Sequence, residues 1–175
     1  MAKLFLMMGV PGSGKSTWIK RQLTESDIYI SRDEIRFKML DKNNTTDYFA
    51  YEDEVFNEYL KQMNIALKNE KVKRVFMDAT QTNKKARAKV LNAIETRPEF
   101  IDVIWIRTPL IECYKRNANR TGREFVPKHV IKSMYDRQEE PSWDEGIDKY
   151  YIVDNKSKEL RLVCLGGLND EEFRY

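Results

Sequence analysis

The chain has 175 residues, which suits one domain with a substantial core, or at most one domain with a short appendage. Hydrophobic residues make up 41% and charged residues 34%, a composition that fits a soluble globular protein and excludes a disordered one. The formal net charge of +3 is too small to attract nucleic acid through the overall field, so an anionic partner must meet a local basic patch.

Strand-like and helix-like segments alternate along the chain. We predict strands at 3–10, 27–31, 74–80, 100–108 and 150–155, with one more short edge strand at 159–167. We predict helices at 15–24, from about residue 33, at 47–69 and at 83–96. The alternation predicts an α/β fold with a central, mainly parallel sheet flanked by helices.

Apolar and aromatic residues recur at three- and four-residue steps in the long helix predicted at 47–69. The positions are Tyr48, Tyr51, Val55, Tyr59, Met63 and Ala66. This spacing places them on one face of a helix, which favours a core role for the face. A share in a substrate groove is the alternative.

The cysteines and the N-terminal segment indicate the cellular setting. Cys113 and Cys164 show no metal-ligand spacing, which favours inert thiols in a reduced cytoplasm. The apolar run before Pro11 is too short to cross a membrane and lacks a cleavage site. We therefore predict neither a signal peptide nor a membrane anchor.

The segment GVPGSGKST, at 9–17, matches the phosphate-binding pattern Gly-x-x-x-x-Gly-Lys-Ser/Thr between a predicted buried strand and a predicted helix. Its glycines allow backbone N–H groups to surround anionic oxygens at a helix N-terminus. We expect Lys15 to reach the β- and γ-phosphates of ATP and the Ser16 hydroxyl to ligate Mg²⁺. The predicted nucleotide-binding residues here are Gly12, Ser13, Gly14, Lys15, Ser16 and Thr17.

A basic segment at 114–127 predicts a small helical lid over the nucleotide. Arg116 and Arg120 are four residues apart, so on a helix they share one face, and Arg123 follows a glycine. Guanidinium groups suit phosphate oxygens, and a closing segment of this kind balances charge during transfer. The alternative is a solvated basic helix face.

Carboxylates follow the second and third predicted strands, where ligands bind in parallel sheets. Asp33 is placed to accept a proton from an attacking hydroxyl, although it equally suits the start of a helix. Arg36 lies on the same side and can hold an anionic acceptor group or orient Asp33. Asp78, with Thr80 nearby, can contact the Mg²⁺ hydration shell or the acceptor.

Five segments carry a resemblance to a known family. They are GVPGSGKSTW, ISRDEIR, MDATQTN, YKRNANR and VPKHVIKSMYDRQEEP, in the order of the kinase domain of phage T4-type polynucleotide 5′-kinases. The chain is similar also to kinase modules of bacterial polynucleotide kinase-phosphatases. For a phage-encoded chain the cytoplasm would be that of the host.

The resemblance implies a P-loop kinase domain at 1–155 with its lid around 114–127, and a short extension at 156–175 packed on or beside it. It implies that Asp33 is the general base for a 5′-hydroxyl, that Arg36 grips the adjacent phosphate, and that Arg120 engages the ATP phosphates. Arg116 is a further candidate nucleotide contact. The spacing between lid and Val126 is one residue longer than in the T4-type pattern, which leaves Arg123 without an assigned role.

Two alternatives remain at the level of sequence: a small-molecule or nucleoside kinase, and an ATP-binding regulatory module without transfer activity. The expected partners are 5′-hydroxyl ends of DNA or RNA and no membrane. Homo-oligomerisation, and a separate phosphatase or ligase working alongside, stay open.

Overall fold

The computed structural model describes residues 1–155 in full and the backbone of residues 159–164. A single six-stranded sheet has the order β2-β3-β1-β4-β5-β6, with five parallel strands and an antiparallel β6 at the edge. The strands are β1 Lys3–Met8, β2 Asp27–Ser31, β3 Arg74–Asp78, β4 Ile101–Arg107, β5 Lys149–Asp154 and β6 Glu159–Cys164.

Six α-helices flank this sheet in the described residues. They are α1 Lys15–Gln22, α2 Arg32–Lys42, α3 Glu52–Lys68, α4 Lys84–Leu91, α5 Leu110–Ala118 and α6 Lys128–Asp136. Short 3₁₀ turns lie at Gly122–Glu124 and Trp143–Glu145. The predicted α/β class with a mainly parallel, helix-flanked sheet is confirmed.

Both faces of β1 are covered, which explains its continuous apolar run. On one face Leu4, Leu6 and Met8 belong to a core cluster that includes Tyr59 and Met63 of α3. On the other face Phe5 and Met7 pack in a second cluster with Trp18 and Ile19 of α1. Because β1 lies between β3 and β4, the chain leaves the middle of the sheet at Met8, where the strand order switches direction.

The helix predicted at 47–69 begins only at Glu52. Side-chain hydrogen bonds hold the preceding residues in turns: Thr45 Oγ1 accepts from the Asp47 N–H at 3.2 Å, and Asp47 Oδ1 accepts from the Phe49 N–H at 3.2 Å. Such local bonds compete with helix formation. Four members of the predicted stripe, Val55, Tyr59, Met63 and Ala66, are buried in the core. Tyr48 instead contacts charged groups at the sheet edge.

Two other predicted helices are also shorter than expected. Helix α1 ends at Gln22 and α4 ends at Leu91, short of the predicted 24 and 96. Strand β6 confirms the predicted edge strand at Glu159–Cys164, whereas 165–167 lie outside the described residues. None of the helices described here is both long and apolar enough to cross a membrane.

Candidate active site

The loop between β1 and α1 has the tight backbone that its glycines predict. Gly12 has a φ of +81°, and a Cβ there would come within 2.5 Å of the Cys113 carbonyl oxygen. Gly14 has a φ of +101° and immediately precedes α1. Only glycine accommodates both the dihedral angle and the close approach at position 12, so the loop can bring its N–H groups around an anion.

Lys15 folds back over this loop. Its Nζ donates to the Gly9 carbonyl at 2.7 Å and to the Val10 carbonyl at 3.3 Å. Burial lowers the pKa of Lys15, with a smaller lowering from the charge of Arg120, while the charges of Asp78 and Asp33 act in the opposite direction. Lys15 is therefore within electrostatic reach of three side chains that the sequence assigned to phosphate, metal and acceptor chemistry.

Ser16 and Asp78 meet between the start of α1 and the end of β3. The Ser16 hydroxyl donates to Asp78 Oδ2 at 2.6 Å, and the Tyr29 hydroxyl donates to the same oxygen at 2.8 Å. Burial and the neighbouring Asp78 charge raise the pKa of Tyr29. Asp78 is only 6% exposed. A hydroxyl next to a buried carboxylate is an oxygen donor set that suits Mg²⁺, so these residues fit that ion.

The carbonyl of Ser13 accepts three side-chain hydrogen bonds. The donors are Thr108 Oγ1 at 2.8 Å, Asn155 Nδ2 at 2.8 Å and Arg116 Nη1 at 3.1 Å. Asn155 also donates to Thr108 Oγ1 at 2.7 Å. The ends of β4 and β5 and helix α5 thus hold the phosphate loop from one side. Arg116, a predicted nucleotide contact, lies at this loop, while Thr108 and Asn155 were missed.

Cys113 shares the same neighbourhood. It is fully buried in α5, and burial raises the pKa of its thiol. A buried thiol with a raised pKa is a poor nucleophile, which agrees with the inert role that its spacing predicts. Cys164 lies in β6, of which only the backbone is described.

Asp33 and Arg36 are in direct contact at the end of β2. Arg36 Nη1 donates to Asp33 Oδ1, and the Tyr48 hydroxyl donates to the same oxygen at 3.2 Å. The Asp33 side chain is 65% exposed, whereas that of Arg36 is 7% exposed. Ser31 rather than Asp33 caps α2, because its hydroxyl accepts from the Glu34 N–H at 3.3 Å. The helix start is therefore satisfied without Asp33.

Glu52, at the start of α3, fixes Arg36 from the opposite side. Its Oε2 accepts from Arg36 Nη2 at 2.9 Å and Nε at 3.2 Å, and its Oε1 accepts from Nη2 at 3.0 Å. Arg32 Nη2 also donates to Glu52 Oε1. The Arg36 guanidinium lies 4.6 Å from the centre of the Tyr48 ring. Of its two predicted roles, the contacts match the orienting of Asp33, and contact with an acceptor phosphate stays a prediction.

The helical part of the predicted lid segment at 114–127 ends earlier than expected. Helix α5 ends at Ala118, so Arg120 lies beyond the helix and the shared face predicted for Arg116 and Arg120 is wrong. The Asn117 side chain accepts from and donates to the backbone of Val126, which closes the segment between them into a compact loop. These side-chain bonds to the backbone compete with continuation of α5.

Arg123 ties the lid to α2. Its guanidinium donates to both oxygens of Asp41 at 2.6 and 3.0 Å and lies 4.5 Å from the centre of the Phe37 ring. Arg120 is exposed, and its charge reaches Lys15. Arg123 therefore contacts helix α2, which also carries Asp33 and Arg36.

Thr80 completes the predicted set. Its carbonyl accepts from the Gly9 N–H at 3.0 Å, so the segment after β3 is joined to the phosphate loop. The predicted residues thus gather around one edge of the sheet.

The missed residues include Tyr29, Tyr48 and Glu52. No local pattern in the sequence indicates their roles, because their partners Asp78 and Arg36 lie 12 to 49 residues away along the chain. In the described part of the chain, no group of three or more His, Cys, Asp and Glu residues forms a metal-binding cluster.

Comparison with known families gives one match that covers most of the chain. Residues 4–141 match the family described as AAA domain.

Solved structures share the fold. A chain of the Pnkp1/Rnl/Hen1 RNA repair complex is 23% identical, with a TM-score of 0.64 over 78% of this chain, and this chain covers 43% of it. A gluconokinase from Sinorhizobium meliloti 1021 is 18% identical, with a TM-score of 0.55 over 87% of this chain and 82% of its own. Chaetomium thermophilum Kti12 in complex with ADP-AlF3 is 14% identical, with a TM-score of 0.65 over 89% of this chain and 91% of its own. At such identities the likeness concerns the fold.

Proposed function

The chain belongs to the AAA domain family and has a P-loop kinase fold, and from this premise we propose that it transfers the γ-phosphate of ATP to the 5′-hydroxyl end of a polynucleotide. The observation that carries the proposal is geometric. Asp78 at the end of β3 accepts from Ser16 of the phosphate loop at 2.6 Å. Asp33 follows the neighbouring strand β2, and Arg116 of the lid donates to the Ser13 carbonyl. A candidate base, a candidate phosphate ligand and a basic lid residue are thus gathered at one sheet edge.

Asp33 is suited to the role of general base. In the described part of the chain, both hydrogen bonds to its carboxylate go to Oδ1, from Arg36 and Tyr48, which leaves Oδ2 for an incoming hydroxyl. Asp33 takes the proton of the 5′-hydroxyl as its oxygen attacks the γ-phosphorus, and the bond from that phosphorus to ADP breaks. Exposure of Asp33 gives the substrate access to it.

The phosphate loop and the lid act on the ATP phosphates during the reaction. Lys15 and the loop N–H groups hold the β- and γ-phosphates, and Arg120 balances the charge that develops during transfer. Ser16 and Asp78 would hold Mg²⁺, which supplies positive charge to the phosphate oxygens when it is bound. Arg116 keeps the loop in place through the Ser13 carbonyl.

The polynucleotide as acceptor is supported by two observations. The ISRDEIR and MDATQTN segments resemble the T4-type 5′-kinases, and they supply Asp33, Arg36, Asp78 and Thr80. The repair-complex chain Pnkp1/Rnl/Hen1 has the same fold. A sugar acceptor is the second candidate, because a gluconokinase shares the fold over most of both chains.

The test offers γ-labelled ATP with a 5′-hydroxyl oligonucleotide, the same strand carrying a 5′-phosphate, a panel of nucleosides, and gluconate. We expect label on the 5′-hydroxyl strand alone. Label on gluconate or a nucleoside, with none on the strand, would make the protein a small-molecule kinase. Binding of ATP without transfer to any acceptor would favour a regulatory module.

A further inference from the structure

A cavity of about 330 Å³ lies beside the carboxyl end of β3. It is bounded by the starts of α2 and α3, by helix α4, and by the segment that follows β3. Its size is at the lower end of the range of about 300–1,000 Å³ that small-ligand sites occupy. Arg32 and Glu52 line it, and Glu52 also holds Arg36, the partner of Asp33. The cavity therefore adjoins the proposed base.

Two buried polar atoms of residues that line this cavity lack a hydrogen-bond partner among the described residues. They are the side-chain oxygen Oε1 of Gln81 and the Nε of Arg32, and both are buried. Gln81 as a whole is only 4% exposed. Buried polar atoms are nearly always paired in folded proteins, so an unpaired acceptor and an unpaired donor on two residues that line one cavity point to a ligand that supplies the complement.

Gln81 is held in place at a cost to its backbone. Its φ of +39° is unusual for a residue with a side chain. Its Nε2 donates to the Tyr59 hydroxyl at 3.0 Å and to the Met77 carbonyl at 3.3 Å. These bonds fix the amide group, so the unpaired Oε1 keeps one position. Strained residues that their surroundings hold in this way cluster at functional sites.

The walls of the cavity combine an aromatic ring with three basic side chains and two acidic ones, Glu52 and Asp53. Phe56 lines one side, and the Arg32 guanidinium lies 5.0 Å from the centre of its ring. Lys85 and Lys89 are exposed, four residues apart on α4, and therefore share a face of that helix. Aromatic walls next to lysines are typical of sites for single-stranded nucleic acid.

We propose that this cavity binds a nucleobase of the acceptor strand at or next to its 5′-hydroxyl end, with Lys85 and Lys89 beside the phosphates that follow. The inference rests on the proposed function. A base edge presents a donor next to an acceptor, and this is the complement of Gln81 Oε1 and Arg32 Nε. A base also offers a flat face to the Phe56 side of the cavity.

The first experiment compares a natural 5′-hydroxyl strand with strands that are abasic at the first or the second nucleotide. We expect kcat/KM of the wild-type protein to fall about tenfold or more for at least one abasic strand, which is the scale of one lost base contact. Equal kcat/KM for all three strands would overturn the inference while leaving the kinase function intact. Absence of label on every 5′-hydroxyl strand would remove both.

Two variants connect the base contact to the cavity. Gln81→Met keeps the length of the side chain and removes its whole amide group, including the Nε2 donor to Tyr59 and Met77. Arg32→Lys keeps the charge and removes Nε together with the Nη2 donor to Glu52. In each variant we expect the ratio of kcat/KM for the natural strand to kcat/KM for the abasic strand to approach one, whatever loss the two strands share through Tyr59 or Glu52. An undiminished preference for the natural strand in both variants would contradict the proposal.

Equilibrium binding supplies a readout that is independent of the rate of phosphate transfer. A fluorescent 5′-hydroxyl strand is titrated with Asp33→Asn protein, in which transfer is expected to stop, and with that protein carrying Lys85→Ala and Lys89→Ala. Removal of two phosphate contacts should make the slope of log affinity against log salt shallower by about 0.7 per contact. Lys20 and Lys71 are exposed and lie outside the cavity, so their double alanine variant is the matched control. An identical slope in cavity and control variants would argue against phosphates at Lys85 and Lys89.

Discussion

The Asp33 carboxylate combines high exposure with two fixed hydrogen-bond donors. Arg36 and the Tyr48 hydroxyl both donate to Oδ1. Burial, and to a smaller extent the neighbouring Asp33 charge, raises the pKa of Tyr48 to about 12. Tyr48 therefore keeps its proton at neutral pH and remains a donor. An oriented carboxylate at the surface of a phosphate site is what proton abstraction from a substrate hydroxyl requires.

Asp33→Asn should therefore abolish transfer to the 5′-hydroxyl strand. The amide cannot accept the proton, and a lost general base typically lowers the rate by about 10²–10⁴-fold. ATP affinity should stay near that of the wild-type protein, because the Lys15 side chain and the phosphate loop are unchanged. Initial rates with labelled ATP and a nucleotide titration measure the two effects. Persistent transfer would show that another group is the base, and Glu34→Gln on the next residue serves as the control.

Glu52 is predicted to be a positioning residue. It accepts from Arg36 through both carboxylate oxygens, and the Arg36 side chain is nearly buried. Glu52→Gln removes the negative charge and leaves Arg36 with Asp33 as its remaining carboxylate partner. We expect kcat to fall about tenfold or more, which corresponds to about 1.4 kcal/mol of lost transition-state stabilisation, with the KM for ATP little changed.

The control for this residue is Glu54→Gln, because Glu54 is an exposed acid in the same first turn of α3. If both variants lose activity alike, the effect belongs to the helix start and not to the contact between Glu52 and Arg36.

At the scale of elements, helix α4 is joined to the 3₁₀ turn before β5 by a buried ion pair. Arg87 donates to both oxygens of Glu145 at 2.7 Å, and the two side chains are 0% and 2% exposed. Arg87 also donates to the Glu139 carbonyl at 3.0 Å. Burial opposes ionisation of Glu145, but the hydrogen bonds from Arg87 and the Ser142 backbone lower its pKa overall.

Glu145→Ala should destabilise the protein by about 3–5 kcal/mol, because it leaves the Arg87 charge buried without its carboxylate. Urea unfolding at neutral pH measures this loss. The adjacent pair of Lys84 and Asp144 connects the same two elements at the surface. Asp144→Asn is therefore the matched control and should change the unfolding midpoint little, since water already screens that pair. Equal losses in the two variants would contradict the role assigned to burial.

At the scale of the whole molecule, the response to acid depends on carboxylates that the fold has paired. Asp27 lies opposite Arg74 in the β2–β3 register, and Arg74 donates to both of its oxygens at 3.0 and 2.6 Å. Burial raises the pKa of Asp27, but hydrogen bonds from Arg74 and from the Thr24 backbone and hydroxyl outweigh it and lower that pKa overall. The folded protein therefore holds the ionised form more firmly than the unfolded chain does.

The free energy of unfolding that Asp27 contributes should be fully present above the unfolded pKa of about 3.9 and lost as pH falls through the lower folded pKa. Asp27→Asn should lower the stability at pH 7 and flatten its decline below about pH 4. Urea unfolding at several values between about pH 2.5 and pH 7 would measure this pH dependence of the free energy of unfolding. Glu25→Gln, at an exposed neighbour, should leave the pH profile unchanged. An unchanged profile in Asp27→Asn would show that the pair does not govern acid stability.

The sequence by itself determined the fold class and the phosphate loop. Both depend on short-range patterns: a buried strand is a continuous apolar run, and a tight anion-binding turn requires glycines at fixed spacing. The same patterns placed β2 at 27–31 and predicted that Asp33, Asp78 and the loop would meet, because the carboxyl ends of parallel strands lie at one edge.

Only the tertiary structure decided which side chains hold Arg36 and the phosphate loop in place. Glu52 and Tyr48 reach Arg36 across 16 and 12 residues of sequence, and Asn155 reaches Ser13 across 142. No local pattern in the sequence indicates contacts between residues that are so far apart along the chain. The start of α3, and the helical position expected for Arg120, were predicted wrongly for a related reason, since side-chain bonds to the backbone near Asp47 and Asn117 compete with helix formation there. Hydrogen bonding specifies a site through distance in space, whereas a sequence pattern reports distance along the chain.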